Sequence, residues 1–142
     1  MTNPSEAASG PPPWVRWLVW VGYLLTWTWA LLTQRPKLPP WIPQPEWGLF
    51  LFSKAVHVGG YAALAVLSGW LRAPLKFRWL LLVFVLANGF VTEFFQSLLP
   101  TGRTGSWRDV GIDLVGVALG LLVSRKWWRE PAPASDAGGG RL

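Results

Sequence analysis

Hydrophobic residues are concentrated in four long runs of this chain, and polar, proline-rich or glycine-rich segments separate the runs. The runs are Trp14–Leu32, Trp47–Leu71, Trp79–Leu99 and Asp109–Val123. A membrane-spanning α-helix needs about 20 mainly apolar residues. The first three runs match this length, and the fourth does so if Trp107 and Trp127 are its interfacial ends. The pattern predicts an all-α fold, an integral membrane bundle of four transmembrane helices with disordered termini.

The segments outside the runs have the composition of tails and loops. Residues 1–13 and 129–142 are rich in Pro, Gly, Ala and Ser and predict flexible tails. Residues 14–128 then form one membrane domain. Residues 33–45 contain five prolines and cannot be helical throughout. Arg72–Arg78 predicts a tight basic connection between the second and third helices.

Composition supports a membrane protein over a soluble one. The chain has 142 residues, of which 51% are hydrophobic and 14% charged, against about 25% charged in a typical soluble domain. Its net charge of +6 does not favour nucleic-acid binding, because the basic residues lie between apolar runs rather than in one stripe. The absence of cysteine excludes disulfides and thiolate metal ligands.

The basic residues also predict an orientation. Membrane proteins carry an excess of Lys and Arg in their cytoplasmic loops. With both termini inside, the inner segments hold eight of these residues and the outer loops hold four. The count predicts a multi-pass protein of the cell membrane with N and C termini in the cytoplasm.

Six polar residues interrupt the runs, near one end of each of three predicted helices: Lys54, His57, Glu93, Gln96, Asp109 and Asp113. Ionisable side chains inside a membrane are costly and usually functional. Consecutive spans cross in opposite directions, so the starts of the second and fourth helices and the end of the third lie on one side. We therefore expect all six residues in the outer half of the membrane, around one pocket.

Helical spacing places these residues on shared faces. The second helix carries one stripe, at positions i, i+3 and i+7: Lys54, His57 and Tyr61. The fourth carries another, at i, i+4, i+7 and i+11: Asp109, Asp113, Gly116 and Gly120. The two glycines form a G-x-x-x-G pattern, which lets another helix approach closely.

An ordered set of short motifs gives the chain a family resemblance. The motifs are Lys-x-x-His-x-x-x-Tyr, Glu-x-x-Gln, Arg-x-x-Ser-x-x-Asp and Gly-x-x-x-Gly, at Lys54–Tyr61, Glu93–Gln96, Arg103–Asp109 and Gly116–Gly120. Together they resemble the VanZ-like membrane proteins over about half of the chain. Asp113 stands where that family has Asn, and Ser53 where it has an acidic residue. The resemblance implies a small multi-pass protein and a connection with resistance to glycopeptide antibiotics, teicoplanin especially.

The leading hypothesis is an outward-facing polar pocket that binds the anionic head of an envelope lipid or lipid-linked intermediate. Lys54 and Arg103 would meet phosphate, because guanidinium binds phosphate through two hydrogen bonds. Carboxylates would hold these cations and accept sugar or peptide donors. The candidate ligand-binding residues are Lys54, Tyr61, Gln96, Arg103, Ser106, Asp109 and Asp113.

Two other functions remain open from the residues alone. In an enzyme, His57 or Glu93 would be the catalytic acid–base group and Arg103 the electrostatic stabiliser. In a structural protein, the polar cluster would lock four helices while Gly116 and Gly120 dock a membrane-protein partner or a second copy.

Several of these residues also have simpler interpretations. Lys54 and Glu93 can form an intramembrane ion pair that fixes helix register, and Asp109 can be the N-cap of the fourth helix. Tyr61 can be a packing residue. A metal site from His57 with Glu93, Asp109 and Asp113 is chemically permitted, but one histidine and no cysteine make it the less favoured alternative. We predict no metal and no cofactor.

Overall fold

A computed structural model describes residues 10–33, 46–99 and 106–129 of the chain. These residues form helices and no strands, which confirms the predicted all-α class. The helices are α1 (Pro13–Leu32), α2 (Glu46–Trp70), α3 (Leu75–Leu98), α4 (Trp107–Val123) and α5 (Arg125–Arg129). Most of both predicted tails and of the predicted loop at 33–45 lies outside the described residues.

Three of the helices, α1, α2 and α3, are long and apolar enough to cross a membrane. They give the described chain the character of a multi-pass membrane protein. Helix α4 has 17 residues and is about 26 Å long at 1.5 Å per residue. A hydrocarbon core is about 30 Å thick, so the crossing of a fourth helix stays a prediction.

Helices α1 to α4 alternate in direction along the chain, as their side-chain pairings establish. Arg16, near the start of α1, donates from Nη1 to the carbonyl of Trp70 at the end of α2, at 3.0 Å. Gln96 donates from Nε2 to the Leu31 carbonyl at 2.9 Å, near the ends of both α3 and α1. Helices α1 and α3 are therefore parallel, and α2 runs against them. Helix α4 runs parallel to α2, because its start lies beside the first half of α2.

The contact between α2 and α4 depends on two glycines. A Cβ atom added at Gly116 would lie 2.5 Å from the Val58 carbonyl oxygen, and one added at Gly120 would clash with the Ala62 carbonyl. Both glycines thus lie against α2 of the same chain. They leave no room for a side chain, so the two backbones pack directly against each other.

Two predicted helix boundaries are corrected by the structure. Helix α3 begins at Leu75 rather than Trp79, with Pro74 at its N-cap position. A helix tolerates proline at its start because the first N–H groups have no intrahelical acceptor. The connection therefore shortens to residues 71–74. Helix α4 begins at Trp107, and its N-cap is Ser106 rather than Asp109, since the Ser106 hydroxyl accepts from the Arg108 N–H at 3.2 Å.

The glycine contact predicts a position-specific effect of added methyl groups. Gly120→Ala should lower the free energy of unfolding by about 1–3 kcal/mol, because overpacking forces α2 and α4 apart. Gly111→Ala is the matched control on α4, since nothing lies within 4 Å of a Cβ added there. It should leave stability unchanged or raise it by up to about 1 kcal/mol, the helix preference of alanine over glycine. Unfolding in detergent micelles measures both changes, and equal effects would contradict the packing described.

Candidate functional site

The polar residues of three helices meet where α2 and α4 begin and α3 ends. Lys54 Nζ on α2 forms an ion pair with Asp109 Oδ1 on α4. The sequence left open an ion pair between Lys54 and Glu93, and that interpretation is wrong. Asp109 is the partner because the parallel packing of α2 and α4 places it level with Lys54.

One helical turn further along, His57 and Asp113 form a second pair. His57 Nδ1 lies 2.9 Å from Asp113 Oδ1, and both side chains are buried. When Asp113 is ionised, the donor of this hydrogen bond is His57 Nδ1–H, because a carboxylate can only accept. The edge of Trp27 from α1 meets the imidazole ring with centroids 6.4 Å apart. The imidazole of His57 is therefore held in its orientation by packing against Trp27 as well as by the hydrogen bond.

Glu93 connects α3 to the start of α4. Its Oε2 accepts a hydrogen bond from the backbone N–H of Ser106 at 2.7 Å. The first N–H groups of a helix lack intrahelical acceptors, and a carboxylate at this end also meets the positive end of the helix dipole. Glu93 thus acts as a cap supplied by a neighbouring helix. Its other oxygen, Oε1, is buried and has no hydrogen-bond partner among the described residues.

A second carboxylate oxygen near this point also lacks a partner. Asp113 Oδ2 is buried and accepts no hydrogen bond from the part of the chain that the structure describes. Gly89 makes room for it, since a Cβ added there would lie 3.3 Å from Asp113 Oδ2 and 3.2 Å from the Tyr61 hydroxyl. His57, Glu93 and Asp113 each offer a potential metal-ligand atom, and these three atoms lie within 4.8 Å of one another. The arrangement has the chemistry to share a proton or to hold a cation.

A pocket of about 100 Å³ opens beside Glu93, between the end of α3 and the start of α4. Its lining combines two polar residues of the site with aromatic side chains: Phe90, Glu93, Phe94, Ser97, Ser106 and Trp107. The three aromatic residues are exposed on the outer surface of the described helices. The pocket therefore leads from an apolar surface to a buried carboxylate.

The remaining predicted site residues have mainly structural contacts. Tyr61 is fully buried against Trp27, with ring centroids 6.1 Å apart. Gln96 uses its amide to hold α1, and Ser106 caps α4. Arg103 lies outside the described residues.

Two residues of the site carry little signal in the sequence. Trp27 covers His57, but α1 contains five tryptophans and nothing distinguishes this one by pattern. Thr92 is buried beside the cluster and donates from Oγ1 to the Gly89 carbonyl at 2.9 Å. Its position directly before Glu93, in an otherwise apolar stretch, was the available signal.

The Lys54–Asp109 pair predicts coupled effects on stability. Breaking a buried ion pair costs about 3–5 kcal/mol, and because these side chains are 20% and 11% exposed we expect the lower end. Lys54→Gln and Asp109→Asn should each lower the free energy of unfolding, since each leaves one charge without its partner. The double variant should lose less than the sum, by at least about 1 kcal/mol. A double-mutant cycle of unfolding in detergent measures this coupling, and additive losses would argue against the pair.

Comparison with known proteins adds no identification. No protein-family model, no curated protein and no solved structure matches this chain. The resemblance to the VanZ-like proteins therefore stays a prediction from the motifs, and the geometry of the site carries the functional argument.

Proposed function

We propose that this multi-pass membrane protein binds the polar head of an envelope lipid or lipid-linked intermediate in the pocket between α3 and α4. The observation that carries the proposal is the position of Glu93. Its carboxylate lies at a pocket with aromatic walls that opens to an apolar surface. A lipid presents a polar head next to an apolar body, which matches this combination.

The size of the pocket limits how the ligand binds. Sites that enclose a whole small molecule have volumes of about 300–1,000 Å³, whereas this pocket has about 100 Å³. It accommodates one polar group of a headgroup rather than the whole molecule. The acyl or polyprenyl chain then stays in the bilayer, against Phe90, Phe94 and Trp107.

The charge distribution assigns different parts of the headgroup to different residues. Lys54 is engaged with Asp109, so it is less available to phosphate than the sequence suggested. A hydroxyl, amine or amide of the headgroup donates to Glu93 instead. For phosphate, the proposal keeps the sequence-predicted Arg103, which lies outside the described residues.

The predicted membrane orientation and the resemblance to the VanZ-like proteins extend the proposal. With the termini in the cytoplasm, the start of α4 and the pocket face the outer leaflet, where lipid-linked cell-wall intermediates and their glycopeptide ligands meet. Binding of such an intermediate by this protein would reduce the amount of the intermediate that is accessible to teicoplanin. This consequence depends on the VanZ-like motifs.

A second candidate function is favoured by the His57–Asp113 pair. A buried carboxylate that orients an imidazole is a common arrangement for acid–base catalysis, and Glu93 lies beside it. In this alternative, His57 or Glu93 transfers a proton to or from a bound lipid headgroup. His57 and Glu93 would be the acid–base groups of the reaction, and the bond that changes in the lipid stays open.

Lipid binding predicts a steric test that leaves the buried cluster intact. Ser97→Phe places a ring in the pocket and should weaken headgroup binding at least about tenfold, a loss of about 1.4 kcal/mol. Leu98→Phe is the matched control, because Leu98 is exposed and does not line the pocket. Native mass spectrometry of the protein in nanodiscs made from envelope lipids measures the bound species. Equal lipid occupancy in both variants would contradict binding at this pocket.

The two candidate functions predict different lipid pools in cells. If the protein only binds, Asp113→Asn and the wild type leave the same covalent species in the envelope. If it catalyses, the wild type produces a lipid species that Asp113→Asn does not, because an amide in place of the carboxylate loses the charge that stabilises the imidazolium form of His57. Mass spectrometry of total lipid from cells that express each chain at equal levels distinguishes the outcomes.

A further inference from the structure

We propose that His57, Glu93 and Asp113 form a binding site for one divalent transition-metal cation, such as Zn²⁺ or Mn²⁺. The three residues come from α2, α3 and α4, and their potential ligand atoms lie within 4.8 Å of one another. Donors bound tetrahedrally to one Zn²⁺ at about 2.0–2.2 Å lie about 3.3–3.6 Å apart. The three donor atoms, which lie within 4.8 Å of one another, would therefore move together by at most about 1.5 Å when an ion binds.

The unpartnered oxygens of this cluster are an independent indication of a ligand. Glu93 is 6% exposed and Asp113 is 2% exposed, yet Glu93 Oε1 and Asp113 Oδ2 accept no hydrogen bond from the described residues. Leaving a buried polar group without a partner costs about 1–3 kcal/mol, and more for a charged group. A cation that both carboxylates coordinate removes this cost at two atoms simultaneously.

The charges of the cluster balance with a divalent cation. Lys54 and Asp109 neutralise each other in their ion pair. When both are ionised, Glu93 and Asp113 carry two negative charges next to each other in a buried site. Like charges this close destabilise each other unless a cation lies between them. One divalent ion supplies the two missing positive charges.

The donor set indicates the class of metal. One imidazole nitrogen and two carboxylate oxygens suit Zn²⁺ or Mn²⁺, whereas Cu⁺ prefers sulfur ligands and Mg²⁺ prefers oxygen alone. Three protein ligands leave at least one coordination position open, as in metal sites that bind a further ligand. Glu93 also lines the pocket, so an open position lies near the bound headgroup.

A bound cation would also affect how the pocket binds a lipid headgroup, and this part of the inference rests on the proposed function. A phosphate approaching two unbalanced carboxylates is repelled, whereas a bound cation attracts it. Phosphate of an anionic headgroup would then bind through the metal. The metal site itself needs no lipid, so the two proposals can fail separately.

The test uses the full chain in detergent, stripped of metal with a chelator and then titrated with Zn²⁺ and, separately, with Mn²⁺. We expect about one bound ion per chain by elemental analysis, together with a higher thermal unfolding temperature. Glu93→Gln and Asp113→Asn each remove a proposed metal ligand. Loss of a residue that only supports a ligand lowers metal affinity roughly 10–100-fold, so each of these variants should lower it by more than that. Glu46→Gln is the matched control, because Glu46 begins α2 about 12 Å along the helix from Lys54.

The wild-type chain alone decides the outcome if the variants fail to fold. If the wild-type chain shows no stoichiometric binding and no thermal shift with either ion, the metal site is overturned. A proton shared between the carboxylates is then the remaining interpretation. Equal binding by Glu46→Gln and Asp113→Asn would also overturn it. Metal binding by a chain that retains no lipid in nanodiscs made from envelope lipids would support the metal site and count against the headgroup proposal. Lipid binding that survives chelation would retain the headgroup proposal but remove its link to the metal.

Discussion

A charged side chain removed from water must find a partner within the protein, and this constraint organises the described helices. Burying an unpaired charge costs far more than any single apolar contact returns. At the candidate site three pairings satisfy it, those of Lys54 with Asp109, His57 with Asp113, and Glu93 with the Ser106 N–H. All three end on α4 or its cap, so they fix the depth and the rotation of that helix.

Glycine packing and polar pairing support each other along α4. The N-terminal turns of α4 carry the carboxylates of Asp109 and Asp113. The following turns carry Gly116 and Gly120, which approach the backbone of α2. Because all four residues share one face, a single rotation of α4 satisfies the ion pairs and closes the helix contact. Gly89 on α3 leaves room for Asp113 Oδ2, so the carboxylate of Asp113 also lies near Glu93 of α3. The polar cluster thus depends on close packing of α4 against both α2 and α3.

Much of this arrangement follows from the sequence. The apolar runs predict the helices, and the i, i+3 and i+4 spacings place Lys54, His57, Asp109 and Asp113 on facing stripes. Spacing does not determine which partner each group takes, because that depends on the offset between helices. Because α2 and α4 pack in parallel, Lys54 forms its ion pair with Asp109 rather than with Glu93. Glu93 caps the start of α4, and Trp27 packs against His57. Both are tertiary contacts that local sequence spacing does not predict.

The central claim is that polar residues of separate helices meet in one buried cluster, and the chain offers a direct way to measure it. His57 is the only histidine, so ¹⁵N-histidine labelling gives a single imidazole in solid-state NMR spectra of the protein in bilayers. A 2.9 Å hydrogen bond to Asp113 Oδ1 and a carbon–oxygen bond of about 1.2 Å place Nδ1 within about 4.1 Å of the carboxyl carbon. With ¹³C-labelled aspartate, we predict strong dipolar coupling that Asp113→Asn with the same label removes. No coupling in the wild-type chain would mean that α2 and α4 do not meet here, and the account would be contradicted.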